Sequence, residues 1–221
     1  MTRHGRKTCF FVTILVVLCL LSGCGRRANL SEYVKSTLDA AYKGSYKPYM
    51  RMTSCSEESA KKLHDNRLNT CMSYVENAGI SDELQEEYRK FFENYLGSVH
   101  YSVTQVKAED KVHKVTVKVE PYSMFTDIEQ ELSDAVDDYY TDVTTSAVVS
   151  GTALPNNQEA REKVYELLLN ILENHMQHIT YGEEEELTVR VTEESTNKFS
   201  INKDDLKEID NTLMDMTAMG F

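Results

Sequence analysis

The sequence predicts an α+β domain, helices packed on an antiparallel sheet made of two hairpins, in the order ααα-ββ-αα-ββ-α. Three observations carry that expectation. Apolar residues recur at helical spacing through most of the chain, as a buried helix face requires. Twice this spacing gives way to alternation rich in β-branched residues, between Val99 and Val119 and between Leu187 and Ile201. Each alternating stretch has a polar break in its middle, so each reads as a hairpin with one wet face.

The elements follow in order. Ala28 to Lys43 reads as the first helix, with Leu30, Tyr33, Val34, Leu38, Ala41 and Tyr42 apolar and Gly44-Ser45 as its stop. Pro48 discourages an immediate restart, so residues 44–53 read as a linker. It holds Tyr46, Tyr49, Met50 and Met52 and is too apolar for a free tether, so it should pack on the body. Ser56 caps a second helix, Glu57 to Asn77, whose inner side carries Ala60, Leu63, Leu68, Cys71, Met72 and Val75. Ser81 caps a third, with Asp82 and Glu83 in its first turn and Leu84, Tyr88, Phe91, Phe92, Tyr95 and Leu96 on one face. Gly97 closes it.

Val99, Tyr101 and Val103 then alternate, as do Val115, Val117 and Val119, with Ala108 to Lys111 as the turn. Pro121 ends the second strand. Thr126-Asp-Ile-Glu129 fits a capping box for a helix with Ile128, Leu132, Ala135, Val136, Tyr139 and Val143 inward, running to about Val149. Gly151 and Pro155 break it. Asn156 or Asn157 caps the next helix, Gln158 to Ile179, with Val164, Leu167, Leu168, Ile171, Leu172 and His175 as its stripe. Leu187, Val189 and Val191 alternate, Glu193 to Asn197 turns, and Phe199 with Ile201 returns. Asn202 caps a last helix with Leu206, Ile209, Leu213 and Met216 inward. Residues 92–101 and 172–181 also echo one another, sharing Glu, Asn and Tyr at an offset of 80.

Before all this stands a different kind of segment. Arg3, His4, Arg6 and Lys7 precede an uncharged run of 14 residues from Thr8 to Leu21, followed by Ser22, Gly23 and Cys24. Spanning a bilayer takes about 20 apolar residues, whereas a signal-peptide core has about 7–15. Leu21-Ser22-Gly23-Cys24 resembles the lipobox of bacterial lipoproteins. The resemblance implies recognition of Leu21, Ser22 and Gly23 by a signal peptidase and removal of residues 1–23. It also implies a thioether-linked diacylglyceryl group on Cys24, usually with N-acylation by a fatty acid such as palmitate. Residues 24–28 would be the lipidated anchor and 29–221 a single α+β domain. The expected place is the extracytoplasmic face of the cell membrane, reached through the lipid. Gly25 follows the cysteine, and Arg26 and Arg27 put positive charge beside the membrane, each adding about 1 kcal/mol on an anionic surface.

Charge narrows the partners. The chain has a formal charge of −12; the leader holds Arg3, Arg6, Lys7 and no acid, so residues 24–221 carry 21 basic and 36 acidic residues, or −15. That balance argues against nucleic acid, whose affinity rests on Lys and Arg. Of five cysteines, Cys9 and Cys19 leave with the leader and Cys24 takes the lipid. An unbroken helix from Ser56 to Asn77 would hold Cys55 and Cys71 about 24 Å apart, too far for a disulfide, so two free thiols are expected.

Motifs of catalysis are sparse. His175 and His178 share a helix face but lack the spacing and Glu of a zinc hydrolase helix, so they read as a polar edge and no metal site is expected. The acidic runs Glu183 to Glu186, Asp137-Asp138 and Asp204-Asp205 lack the alternating ligands of a calcium loop and read as solvated faces and helix starts. No Gly-x-Ser-x-Gly or phosphate-cradling glycine loop occurs. Tyr42, Tyr46 and Tyr49 could form an outward binding patch, but the preferred reading puts them over the core with hydroxyls at the surface.

The chain beyond the lipobox is similar to small lipoproteins of Gram-positive, clostridia-like anaerobes. The residues that carry this are 33–40 with Tyr42-Lys43-Gly44, residues 115–121, and Tyr181-Gly182 with 187–191. The resemblance implies no catalytic residue and no cofactor apart from the lipid on Cys24. The function expected is a non-enzymatic binding or interaction module. A solute-capturing component of a transporter is the alternative, and a cell-wall or glycan-active enzyme the next.

Overall fold

A computed structural model describes residues 30–109, 111–195 and 198–221. The lipobox expectation, at Leu21, Ser22, Gly23 and Cys24, lies outside them. Within the described residues the helices are α1 (Leu30–Tyr42), α2 (Tyr46–Thr53), α3 (Glu57–Met72), α4 (Asp82–Gly97), α5 (Ile128–Ser150), α6 (Asn157–Met176) and α7 (Lys203–Leu213). The strands are β1 (His100–Glu109), β2 (Val112–Glu120), β3 (Glu185–Ser195) and β4 (Lys198–Ile201). The α+β class is as expected, with one helix more than the sequence reading gave.

The extra helix is α2. Pro48 is not the barrier its sequence context suggests: it falls in the first turn, where its missing N–H has no intrahelical partner to lose. Tyr49 and Met52 pack on the core from this helix, so the segment does lie on the body. The helix α3 stops at Met72 instead of Asn77. Tighter bonds follow it, Tyr74 N–H to Cys71 O and Val75 N–H to Met72 O, which still bury Val75 completely.

Ser81 caps α4 as its sequence demands, its hydroxyl accepting the Leu84 N–H at 3.2 Å. Leu84, Tyr88, Phe91, Phe92, Tyr95 and Leu96 are all buried, so α4 is the spine of the core. Burial of such side chains contributes roughly 1.5–3 kcal/mol each before the entropy of ordering them is set against it.

The sheet is antiparallel throughout, in the order β1-β2-β3-β4. Tyr101 faces Val119 and Val103 faces Val117, and the register then shifts between Val103 and Val106. The second hairpin pairs Val191 with Ile201 and Glu193 with Phe199. Val115, Val117, Val119, Val189 and Val191 are buried, while Lys114, Thr188 and Arg190 alternate onto the exposed face. The helix α1 lies against β1, and α7 lies against β3 and β2. Only four residues of β4 pair with β3, and α7 starts where that pairing stops. Asp205 accepts the Arg190 N–H at 2.6 Å, so α7 satisfies a strand donor that β4 leaves open.

Two helix starts contrast. Asn156 caps α6 with the reciprocal Glu159 bond of a full capping box. The capping box expected at Thr126 is absent. Asp127 precedes Ile128 in the left-handed region with φ 58° and makes no side-chain cap bond. A tight turn, Thr126 N–H to Met124 O, sets this entry, and Asp is among the residues that tolerate it. The inward stripe expected for α5 is covered only partly. Ile128 is its one buried residue, and Leu132, Ala135, Val136, Tyr139 and Val143 are half-buried, because α5 packs principally on α6 from outside. Among the described residues no helix is long and apolar enough to cross a membrane.

The echo between residues 92–101 and 172–181 corresponds to two helix ends that lead towards hairpins, but not to matched strands. Tyr101 lies inside β1, whereas Tyr181 forms an isolated bridge to Tyr122 four residues before β3. The two segments do touch: the Tyr181 hydroxyl donates to Ser98 O at 2.6 Å.

Candidate functional site

Tyrosine hydroxyls knit the molecule. Tyr33 donates to Phe199 O at 2.9 Å, Tyr88 to Tyr165 O at 2.8 Å, Tyr95 to Leu213 O at 3.2 Å and Tyr122 to Tyr95 O at 2.6 Å. Each ring is largely buried and each hydroxyl finds a carbonyl, which is how a tyrosine enters a core at little cost. Tyr42 is fully buried and donates to Asp210, so its hydroxyl is inside rather than at the surface as the sequence suggested. Tyr46 and Tyr49 are half-buried beside it, and no outward tyrosine patch forms.

The acidic and histidine candidates also resolve. Asp205 is not the solvated helix start its sequence suggests: it is 6 % exposed. Its carboxylate accepts from the Arg190 backbone and from Nε and Nη2 of the same residue. Burial works to raise its pKa, but these donors prevail and hold it below the ordinary carboxylate range. Asp204 is exposed at the helix start, as expected. Glu184 and Glu186 flank Lys118 at 2.5 and 3.5 Å on the wet face of the sheet. His175 has its Nδ1 2.5 Å from Met124 O and its Nε2 3.0 Å from Glu131, so it ties α6 to the entry of α5. His178 is exposed. Among the described residues no three His, Cys, Asp or Glu side chains converge as a metal site would need. Cys55 and Cys71 are free and buried.

A cleft of about 230 Å³ opens where α4, the end of β2, the start of β3 and the end of α7 meet. The aromatic side is Tyr95, Tyr122 and Phe125; Glu185, Asn211 and Asp215 supply polar groups. Its wall is fixed by a short ladder beyond β2, in which Ser123 N–H donates to Thr180 O at 3.0 Å and Gly182 N–H to Pro121 O at 2.8 Å. Tyr122 stacks between Tyr95 at 4.8 Å and Tyr181 at 5.5 Å, ring centre to ring centre. Asp215 Oδ1 accepts the N–H groups of Thr217 at 3.1 Å and Ala218 at 3.3 Å, which fixes the carboxylate at the start of a short 3-10 turn, Thr217–Met219. Sequence reasoning singled out none of the polar groups as a site. They come from two separate segments, the start of β3 and the end of α7 with the turn after it, which only the tertiary fold brings together.

A wider groove of about 600 Å³ runs between α4 and α6 and is rich in glutamate. Part of that charge is structural: Glu162 accepts from the Ser81 N–H at 3.0 Å and from its hydroxyl, and Glu166 pairs with Lys163 at 2.9 Å.

No protein-family model and no curated protein matches the chain. Among solved structures, a protein of Bacillus subtilis provisionally named a lipoprotein, YcdA, is similar with a TM-score of 0.57 and 13 % identity, over 83 % of this chain and 55 % of that one. The chain therefore spans about half the length of that protein, and the likeness is one of fold.

Proposed function

We propose that the chain is an extracytoplasmic lipoprotein held at the cell membrane by a diacylglyceryl group on Cys24, and that its α+β body is a non-enzymatic binding or interaction module. The observation that carries the reading is Leu21-Ser22-Gly23-Cys24 at the end of an uncharged run of 14 residues behind a basic start. The shared fold with a protein provisionally named a lipoprotein supports it. So does the resemblance to small lipoproteins of clostridia-like anaerobes. With α1 beginning at Leu30, few residues separate Cys24 from the body, so the lipid would hold the domain close to the bilayer. A diacylglyceryl group brings two chains, enough for stable anchoring where one chain gives marginal binding.

Replacing Cys24 by alanine tests the address. The Cys24→Ala chain should appear in the medium or as uncut precursor. Membrane retention with ordinary processing would remove the lipid from the account. Solute capture for a transporter and turnover of a cell-wall glycan are competing outcomes for the body. Stabilisation by one solute would favour the first, and glycan cleavage lost with a single carboxylate the second.

A further inference from the structure

We propose that the cleft bounded by Tyr95, Tyr122, Phe125, Glu185 and Asp215 binds an alkylammonium group, supplied by a small amine or by a lysine side chain. The inference deepens the reading of the body as a binding module and rests on it.

Shape sets the size of the occupant. At about 230 Å³ the cleft falls below the roughly 300–1,000 Å³ of sites for drug-sized ligands, so it takes one short chain and not a whole sugar chain or nucleotide. Chemistry sets its character. The hydroxyls of Tyr95 and Tyr122 are spent on the carbonyls of Leu213 and Tyr95, so these residues offer the cleft hydrocarbon and not donors. Phe125 extends the same wall, 5.9 Å from Tyr122 and 6.0 Å from Tyr95 between ring centres. An alkyl stem fits such a wall.

Two carboxylates, Glu185 and Asp215, line the same cleft, and among the described residues no basic side chain does. Asp215 is held rigidly through Oδ1 by two backbone N–H groups, while no donor among the described residues engages its Oδ2. Glu185 has no ion-pair partner among the described residues, although its neighbours Glu184 and Glu186 share Lys118. The Asn211 amide adds a neutral acceptor at the same rim. One carboxylate held in place, a second beside it, a neutral acceptor and an apolar wall complement a cation on a hydrocarbon stem, and they disfavour carboxylates and phosphates.

Calorimetric titration of the full chain in detergent tests this with four probes: n-butylamine, n-butanol, butyrate and the blocked tripeptide acetyl-Gly-Lys-Gly-amide. Saturable binding is expected for the amine or the tripeptide, and the tighter of the two assigns the source. Glu185→Gln and Asp215→Asn should each weaken it about tenfold, the loss of one charge-assisted contact. Asparagine at 215 keeps an acceptor for the Thr217 and Ala218 N–H groups, so the turn survives. Binding of butanol or butyrate as tight as that of the amine would overturn the ammonium assignment while leaving a binding module. No saturation by any probe would overturn the cleft as a ligand site altogether.

Discussion

The guanidinium of Arg67 lies 4.8 Å over the ring of Tyr42, and the two side chains converge on one carboxylate oxygen of Asp210. Arg67 Nε donates to it at 2.9 Å and Nη1 donates to Leu63 O at 3.2 Å, so a single cation joins α1, α3 and α7. Burial opposes the charge on Arg67, but its contacts with Tyr42 and Asp210 prevail and keep it protonated. Removing only the anion strands that cation. Asp210→Ala should cost about 2–4 kcal/mol in urea unfolding, and Arg67→Met, which removes the charge and keeps the volume, should cost less. A loss for Asp210→Ala within about 0.5 kcal/mol of zero would show that the cluster is not a structural tie.

The Asp205–Arg190 pair makes a pH prediction. A carboxylate held below its ordinary pKa in the folded chain stabilises fully above the unfolded value, about 3.9, and that contribution fades as pH falls through the folded one. Wild type should therefore lose urea midpoint faster than Asp205→Asn on acidification, and the two curves should converge. Parallel curves would mean that Asp205 titrates alike in both states.

His175 should control α5 more than the whole fold. Its nitrogens meet oxygens on both sides of the start of α5, Met124 O before it and Glu131 in its first turn. His175→Ala should speed amide exchange in the first turns of α5 by about tenfold, the loss of one to two hydrogen bonds, with α4 unaffected. Faster exchange in α4 of the same size would show that the contact supports the core instead.

The cysteines give a count. Burial, aided by the charge of Asp210, pushes the Cys71 thiol up to about 12, and Cys55 is also buried, so alkylation of the native chain should be slow. Unfolded without reductant, the processed and lipidated chain should yield two thiols, Cys55 and Cys71. Three would mean cleavage without a lipid, and five an intact leader with every cysteine free.

The sequence was most legible where one residue type answers one physical demand. Ser81, Asn156 and Asn202 cap the helices expected of them, and the valines of β2 and β3 alternate as a one-sided sheet requires. It misled where a local rule met a tertiary exception. Pro48 looks like a breaker in sequence because its position within the turn depends on where Ser45 starts the helix. Thr126 fitted a capping pattern, but the Asp127 turn displaced it. Asp205 as a whole and the hydroxyl of Tyr42 look exposed in sequence because their partners, Arg190 and Asp210, are 15 and 168 positions away. The cleft was invisible for the same reason, since Tyr95, Glu185 and Asp215 belong to α4, β3 and the end of α7.

Mass spectrometry of the N-terminal peptide from membrane-extracted protein decides whether Cys24 carries the lipid. The peptide should begin at Cys24 and carry a thioether-linked diacylglyceryl group. A peptide that begins at Met1, or one that begins at Cys24 with a free thiol, would contradict the lipid anchor on Cys24.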